Sequence, residues 1–156
     1  MEEEIKSAPA DKIIKNLYLG GMRIYENNFL EKNKITHIVC VKSPEKSVVK
    51  TLKNQGVKFY NFITSHDEFH LNFDKKFEAI YVKILSAMSK GENVVIHCRS
   101  GKHRSVAILV AFLMKYYGHD WDEVFQFVKQ KRPCIDDVNH DIVKKYFKKY
   151  YNKVEN

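Results

Sequence analysis

Residues 93–97, Asn-Val-Val-Ile-His, form a short apolar strand pattern, and residues 105–117 form a nearly continuous apolar run of helical length that stops at Gly118. The link between them is Cys98, Arg99, Ser100, Gly101, Lys102, His103 and Arg104. A buried strand that passes through so short a polar loop into a buried helix needs neighbours to cover both apolar pieces. The rest of the chain supplies them in alternation.

Residues 13–21, IIKNLYLGG, read as a short strand stopped by Gly20 and Gly21, and residues 23–33 as a helix. ITHIVCV (35–41) is rich in β-branched residues and reads as a buried strand ended by Pro44. A short helix over 47–56 ends at Gly56, and a strand over 57–63 leads into the polar loop TSHDEFHLN. Phe73, Phe77, Ile80, Tyr81, Ile84, Leu85 and Met88 recur at helical spacing until Gly91. Asp120 and Glu123 make a capping-box pair for a helix over 121–132 stopped by Pro133, and a last amphipathic helix covers 139–152. Strands alternating with helices imply an α/β fold, a mainly parallel central sheet flanked by helices.

The loop between strand and helix has the makings of an anion site. Backbone N–H groups at a helix start point outward, and the helix dipole adds roughly half a positive charge there. Gly101 lets the backbone turn sharply. The planar fork of Arg104 can grip two phosphate oxygens, which a lysine does less well. In such a field Cys98 titrates below its free value, as comparable thiols do at about 3.5 to 7.5, and becomes a thiolate nucleophile at neutral pH.

Other readings of these residues fit less well. A Walker A loop needs glycine where Ile96 stands and Ser or Thr where His103 stands. A zinc site from His97, Cys98 and His103 lacks a second cysteine pair at finger-like spacing. His66 and His70 in HDEFH are similar in spacing to the zinc-protease helix, but Asp replaces Glu and the stretch is a polar loop. Cys40 and Cys134 read as inert buried thiols.

A length of 156 residues suits one domain. Twenty-seven Lys and Arg against 19 Asp and Glu give +8, which favours acidic partners: nucleic acid, phosphorylated protein, inositol phosphates or an anionic membrane. The odd, sparse set of three cysteines and the lack of an apolar leader argue for a reducing compartment. No apolar run reaches bilayer-spanning length, so a soluble protein is expected, cytoplasmic with the nucleus left open.

His-Cys-x5-Arg-Ser, here His97 to Ser105, resembles the signature of cysteine-dependent protein tyrosine phosphatases, and the rest of the chain resembles their small dual-specificity branch. LYLG (17–20) and ITHIVCV resemble that family's first strands, and VAILVAFLM (106–114) the helix behind its phosphate loop. Asp67, with Asn72, Phe73 and Phe77 after it, resembles the general-acid loop and following helix. The resemblance implies that family's fold, with an N-terminal tail over 1–12, a catalytic domain over 13–152 and a C-terminal tail over 153–156. One departure is DDVN (136–139), where Asn139 stands one residue late, and a rearranged turn is expected there.

The resemblance also implies roles. Cys98 is the nucleophile, Arg104 and the N–H groups of residues 99–104 cradle phosphate, and Asp67 is general acid and then base. Ser105 stabilises the sulfur, and His97 organises the loop. Glu68 and Asp74 are rival acids, with Asp74 better read as a solvated or capping residue. No metal and no cofactor are implied.

Phosphorylated proteins carrying phosphotyrosine, phosphoserine or phosphothreonine are the expected substrates, because no counterpart of a deep phosphotyrosine slot is found. The loop CRSGKHR is also similar to those of phosphoinositide phosphatases and of enzymes acting on inositol pyrophosphates. Arg99, Lys102 and His103 would suit several phosphates; the alternative is that Arg99 and Lys102 point to solvent or pair with acidic residues. RNA 5′-triphosphatases share the Cys-x5-Arg plan, but the stacked aromatics of RNA readers are missing, which argues against nucleic acid. A reading of another class is a silent module that binds phosphoproteins; such relatives lack the cysteine, arginine or acid, and all three are present here. The lysine-rich last helix reads as a solvated face with anionic lipid as the other reading.

Overall fold

The computed structural model describes residues 7–62, 73–137 and 141–155. The strands are β1 (Ala10–Ile14), β2 (Leu17–Gly20), β3 (Ile35–Cys40), β4 (Lys58–Asn61) and β5 (Asn93–His97). The helices are α1 (Phe29–Lys32), α2 (Lys46–Asn54), α3 (Phe73–Ser89), α4 (Arg104–Tyr117), α5 (Trp121–Lys131) and α6 (Asp141–Glu155). The sheet order is β1-β2-β5-β3-β4, with β1 antiparallel to β2 and the other pairings parallel. This is the mainly parallel α/β sheet flanked by helices that the sequence implies.

Alternation along β5 builds two cores, because successive side chains of a strand face opposite sides. Val94, Ile96 and then Cys98 join the larger core, formed with α3, α4, α5 and α6. Val95 turns to the smaller one, with Ile38, Cys40, Ile24 and Leu30. α4 is buried without interruption from Ser105 to Met114, so it has no solvent face over that stretch. At roughly 1.5–3 kcal/mol for each large apolar side chain buried, this helix is a principal anchor of the fold. Asp120 caps α5 as expected, its carboxylate accepting from the Glu123 N–H at 3.0 Å.

Two N-terminal expectations are corrected. The segment read as one strand over 13–21 is a hairpin, and β1 begins at Ala10, within the stretch read as tail. The reversal rests on Asn16, whose φ of 71° lies in the left-handed region that asparagine tolerates. Its side-chain amide donates to Asn93 Oδ1 at 2.9 Å, tying the turn to the start of β5. Residues 23–33 are not one helix but a 3-10 turn (Met22–Tyr25) and the single turn α1, separated where Asn27 and Asn28 both take positive φ. Consecutive left-handed residues cannot continue a right-handed helix.

Candidate active site

β5 lies between β2 and β3, and the loop after His97 leaves its carboxyl end before α4 begins at Arg104. Both neighbours hold the loop's base. Val41 N–H donates to the His97 carbonyl at 2.9 Å, Cys98 N–H to Gly20 O at 3.4 Å, and Met22 N–H to Arg99 O at 2.9 Å. Gly101 has φ of 72°, and a Cβ there would lie 2.6 Å from the Gly20 carbonyl carbon, so both conformation and space demand glycine.

Cys98 is 3% exposed. Its Sγ lies 3.0 Å from Ser105 Oγ and 3.3 Å from the Gly101 nitrogen. Burial pushes this thiol up, but hydrogen bonds from the Ser105 hydroxyl and from the Ser105, His103 and Gly101 N–H groups outweigh it, and the net shift is downward. The arrangement favours the thiolate form of Cys98 at the floor of a loop of inward N–H donors.

His97 is fully buried on the opposite face of the sheet. Its Nδ1 is 3.0 Å from the Cys98 carbonyl oxygen and its Nε2 is 2.8 Å from Tyr25 Oη. Burial lowers its pKa to about 4, so the ring is neutral at physiological pH. His103 points outward and pairs with Asp136 at 2.9 Å, both residues being exposed. His97, Cys98 and His103 therefore do not converge as zinc ligands. Among the described residues no three His, Cys, Asp or Glu side chains gather to hold a metal ion.

Arg99 and Ser100 are exposed, Lys102 and Arg104 half-buried, and Ser105 buried. Neither Arg99 nor Lys102 meets an acidic partner among the described residues. With Arg23 and Arg132 they border a cavity of about 170 Å³ on the loop's outer side. Cys40 is fully buried, its thiol raised to about 11 by burial, whereas Cys134 is only half-buried, which corrects the expectation that both are buried. Asp74 lies in the first turn of α3, with its carboxylate 3.6 Å from Lys149 Nζ, which fits the solvated reading. Asp67, Glu68, the HDEFH stretch and Asn139 lie outside the described residues.

Two contributors escaped the sequence reading. Arg132, 1% exposed, donates from Nε to the Gly101 carbonyl at 3.1 Å and from a terminal nitrogen to the Ser100 carbonyl at 3.2 Å. Its other terminal nitrogen reaches Ala8 O and Asp11 Oδ2, each at 2.9 Å. The available signal was the use of arginine at all, since only four of the 27 Lys and Arg residues are Arg. Tyr25, on the 3-10 turn, carried no periodic or motif signal.

The family description "Dual specificity phosphatase, catalytic domain" matches residues 17–152. The human dual specificity protein phosphatase 22 is 29% identical over 127 residues, 81% of this chain and 66% of its own length. The Arabidopsis thaliana dual specificity protein phosphatase 1 is 35% identical over 122 residues, 78% of this chain and 59% of its own. The chain thus spans less than two thirds of the length of either relative. Among solved structures, the human tyrosine phosphatase-like serine/threonine/tyrosine-interacting protein superposes with a TM-score of 0.76 at 22% identity, covering 91% of this chain and 97% of that one. No helix among the described residues is long and apolar enough to cross a membrane.

Proposed function

The chain belongs to the dual specificity phosphatase family, and we propose on that premise that it hydrolyses phosphate monoesters on protein tyrosine, serine and threonine through a cysteinyl-phosphate intermediate. The observation that carries this reading is the Cys98 sulfur held by Ser105 Oγ and the Gly101 N–H in a loop of converging amides.

The Cys98 thiolate attacks phosphorus in line, forming the S–P bond as the ester P–O bond breaks. Arg104 and the loop N–H groups hold the equatorial oxygens while charge redistributes. Asp67 gives its proton to the departing oxygen, then takes one from the water that attacks phosphorus and frees the thiolate. Positioned acid–base help of this kind is worth roughly 10² to 10⁴-fold. Ser105 donates to the sulfur, which eases its departure in the second step. Phosphorylated proteins in the cytoplasm are the proposed substrates, and the reaction is proposed to run without a metal.

The test is hydrolysis of p-nitrophenyl phosphate in excess EDTA by the wild-type and Cys98→Ser proteins, followed by a phosphopeptide panel. Turnover that survives chelation and vanishes in the variant supports the reading. Turnover retained by Cys98→Ser overturns the mechanism. A folded wild-type protein that binds phosphopeptides and turns none over is a binding module instead.

A further inference from the structure

A row of hydrogen bonds crosses the sheet from the smaller core to the phosphate loop. The Cys98 carbonyl can only accept, so His97 Nδ1, 3.0 Å away, carries the proton. In the neutral ring Nε2 is then an acceptor, and Tyr25 Oη, 2.8 Å from it, is the donor. The phenol oxygen in turn faces Cys40 Sγ at 3.8 Å, where the thiol donates. Cys40 stays a thiol, and the Tyr25 hydroxyl is raised far above its ordinary range by burial. Every proton in the row points toward the nucleophile's own peptide.

We propose that Tyr25 is a positioning residue for the phosphate loop: its hydroxyl fixes the Nδ1–H form of His97, which pins the Cys98 carbonyl and so directs the Arg99 N–H into the cradle. The last link follows from peptide geometry. Carbonyl and N–H of a trans peptide point in opposite directions. Holding the Cys98 carbonyl toward His97 on one side therefore aims the Arg99 N–H the other way. Were the ring to carry its proton on Nε2, the Nδ1 lone pair would oppose the carbonyl oxygen and turn that peptide. The ring contact between Tyr25 and His97, edge-on with centroids 5.3 Å apart, keeps the hydroxyl aligned with Nε2. Cys40 fills the remaining acceptor site of the phenol and acts on nothing else in the row.

The catalytic part rests on the phosphatase reading, whereas the tautomer and the thiolate can be measured without turnover. Nitrogen chemical shifts of His97 in the wild-type protein are expected to report a proton on Nδ1; a ring protonated on Nε2 overturns the proposal outright, even if Tyr25→Phe does not fold. In folded Tyr25→Phe, the pH midpoint for iodoacetamide alkylation of Cys98, followed by peptide mass, is expected to rise by roughly half a unit to one unit, the equivalent of one hydrogen bond. The kcat on p-nitrophenyl phosphate is expected to fall by about threefold to tenfold, with KM changing less. Cys40→Ser is expected to leave both values unchanged. An unchanged alkylation midpoint in Tyr25→Phe overturns the proposal. So does an equal shift in Cys40→Ser, which would make the effect one of packing. If the wild type hydrolyses no phosphate ester, the phosphatase reading fails while the tautomer and alkylation results still decide the role of Tyr25.

Discussion

Arg132 and Gly101 meet through the arginine Nε and the glycine carbonyl at 3.1 Å, so the loop from Cys98 to Arg104 is held from behind by a residue 31 positions away in the chain. The loop turns its N–H groups inward, and its carbonyls must then point outward to some donor. The buried guanidinium supplies that donor for both Ser100 and Gly101.

Arg132→Lys is expected to destabilise the fold by about 2 to 4 kcal/mol, because an ammonium cannot serve two carbonyls, Ala8 and Asp11 at once. The figure sits at the low end for a broken buried pair because Asp11 is 29% exposed and keeps some hydration. Urea midpoints of the two proteins test this, and an unchanged midpoint would show the anchor to be dispensable.

Ser105→Ala removes the hydroxyl 3.0 Å from the Cys98 sulfur and leaves the backbone donors in place. The thiol is expected to titrate higher, and alkylation at mildly acid pH to slow. A hydrogen bond to a charged partner is worth about 1.5–3 kcal/mol, so breakdown of the intermediate is expected to slow by roughly 10- to 100-fold. Rapid-quench kinetics would read this as a burst of p-nitrophenol followed by a slow steady rate.

His97 is held neutral, with its pKa lowered by burial to about 4, while in the unfolded chain it titrates near about 6.5. Between those values the unfolded chain binds the extra proton. The stability this group contributes is therefore whole above about pH 6.5 and is lost as the pH falls toward about 4, by about 3 kcal/mol in all. Urea midpoints measured from neutral to acid pH should fall accordingly, and the slope should shrink in His97→Asn, which has no ring to titrate.

Gly21 has φ of −122°, which any residue adopts, so its constraint is space alone. A Cβ there would lie 2.7 Å from the Arg99 carbonyl oxygen, the acceptor for Met22 N–H. Gly21→Ala is expected to cost only about 1–3 kcal/mol as a local overpacking. Displacing the cradle is expected to lower kcat/KM by at least roughly tenfold, since small misplacements cost more in rate than in stability. Equal activity in the folded variant would show that the loop yields freely.

What could be read from the sequence was what lies contiguous in it. Cys98, Gly101, Arg104 and Ser105 fall within eight successive positions, and strand, turn and helix propensities act over the same range, so loop chemistry and fold class emerge together. The supports of the loop come from afar. Arg132 reaches Asp11 across 121 residues, and Tyr25 reaches His97 across 72. A lone arginine before a proline and a tyrosine in a 3-10 turn have no period to betray them. The hairpin at Asn16 is hidden for a local reason: its turn is only Lys15 and Asn16 and lacks glycine, so two polar residues are all that separate the apolar pairs on either side.

Cys98 follows directly from the strand paired on both sides, β5 between β2 and β3, with uninterrupted α4 just beyond. Amides in such a strand are expected to exchange with solvent only when the whole domain opens, because neighbours on both sides and a buried helix hold it. The Cys98 loop is thus expected to belong to the slowest-exchanging unit of the molecule, not to a fraying edge. On heating, loss of turnover should coincide with the global transition, and deuterium uptake at Val94–Ile96 should report the same free energy as the urea curve.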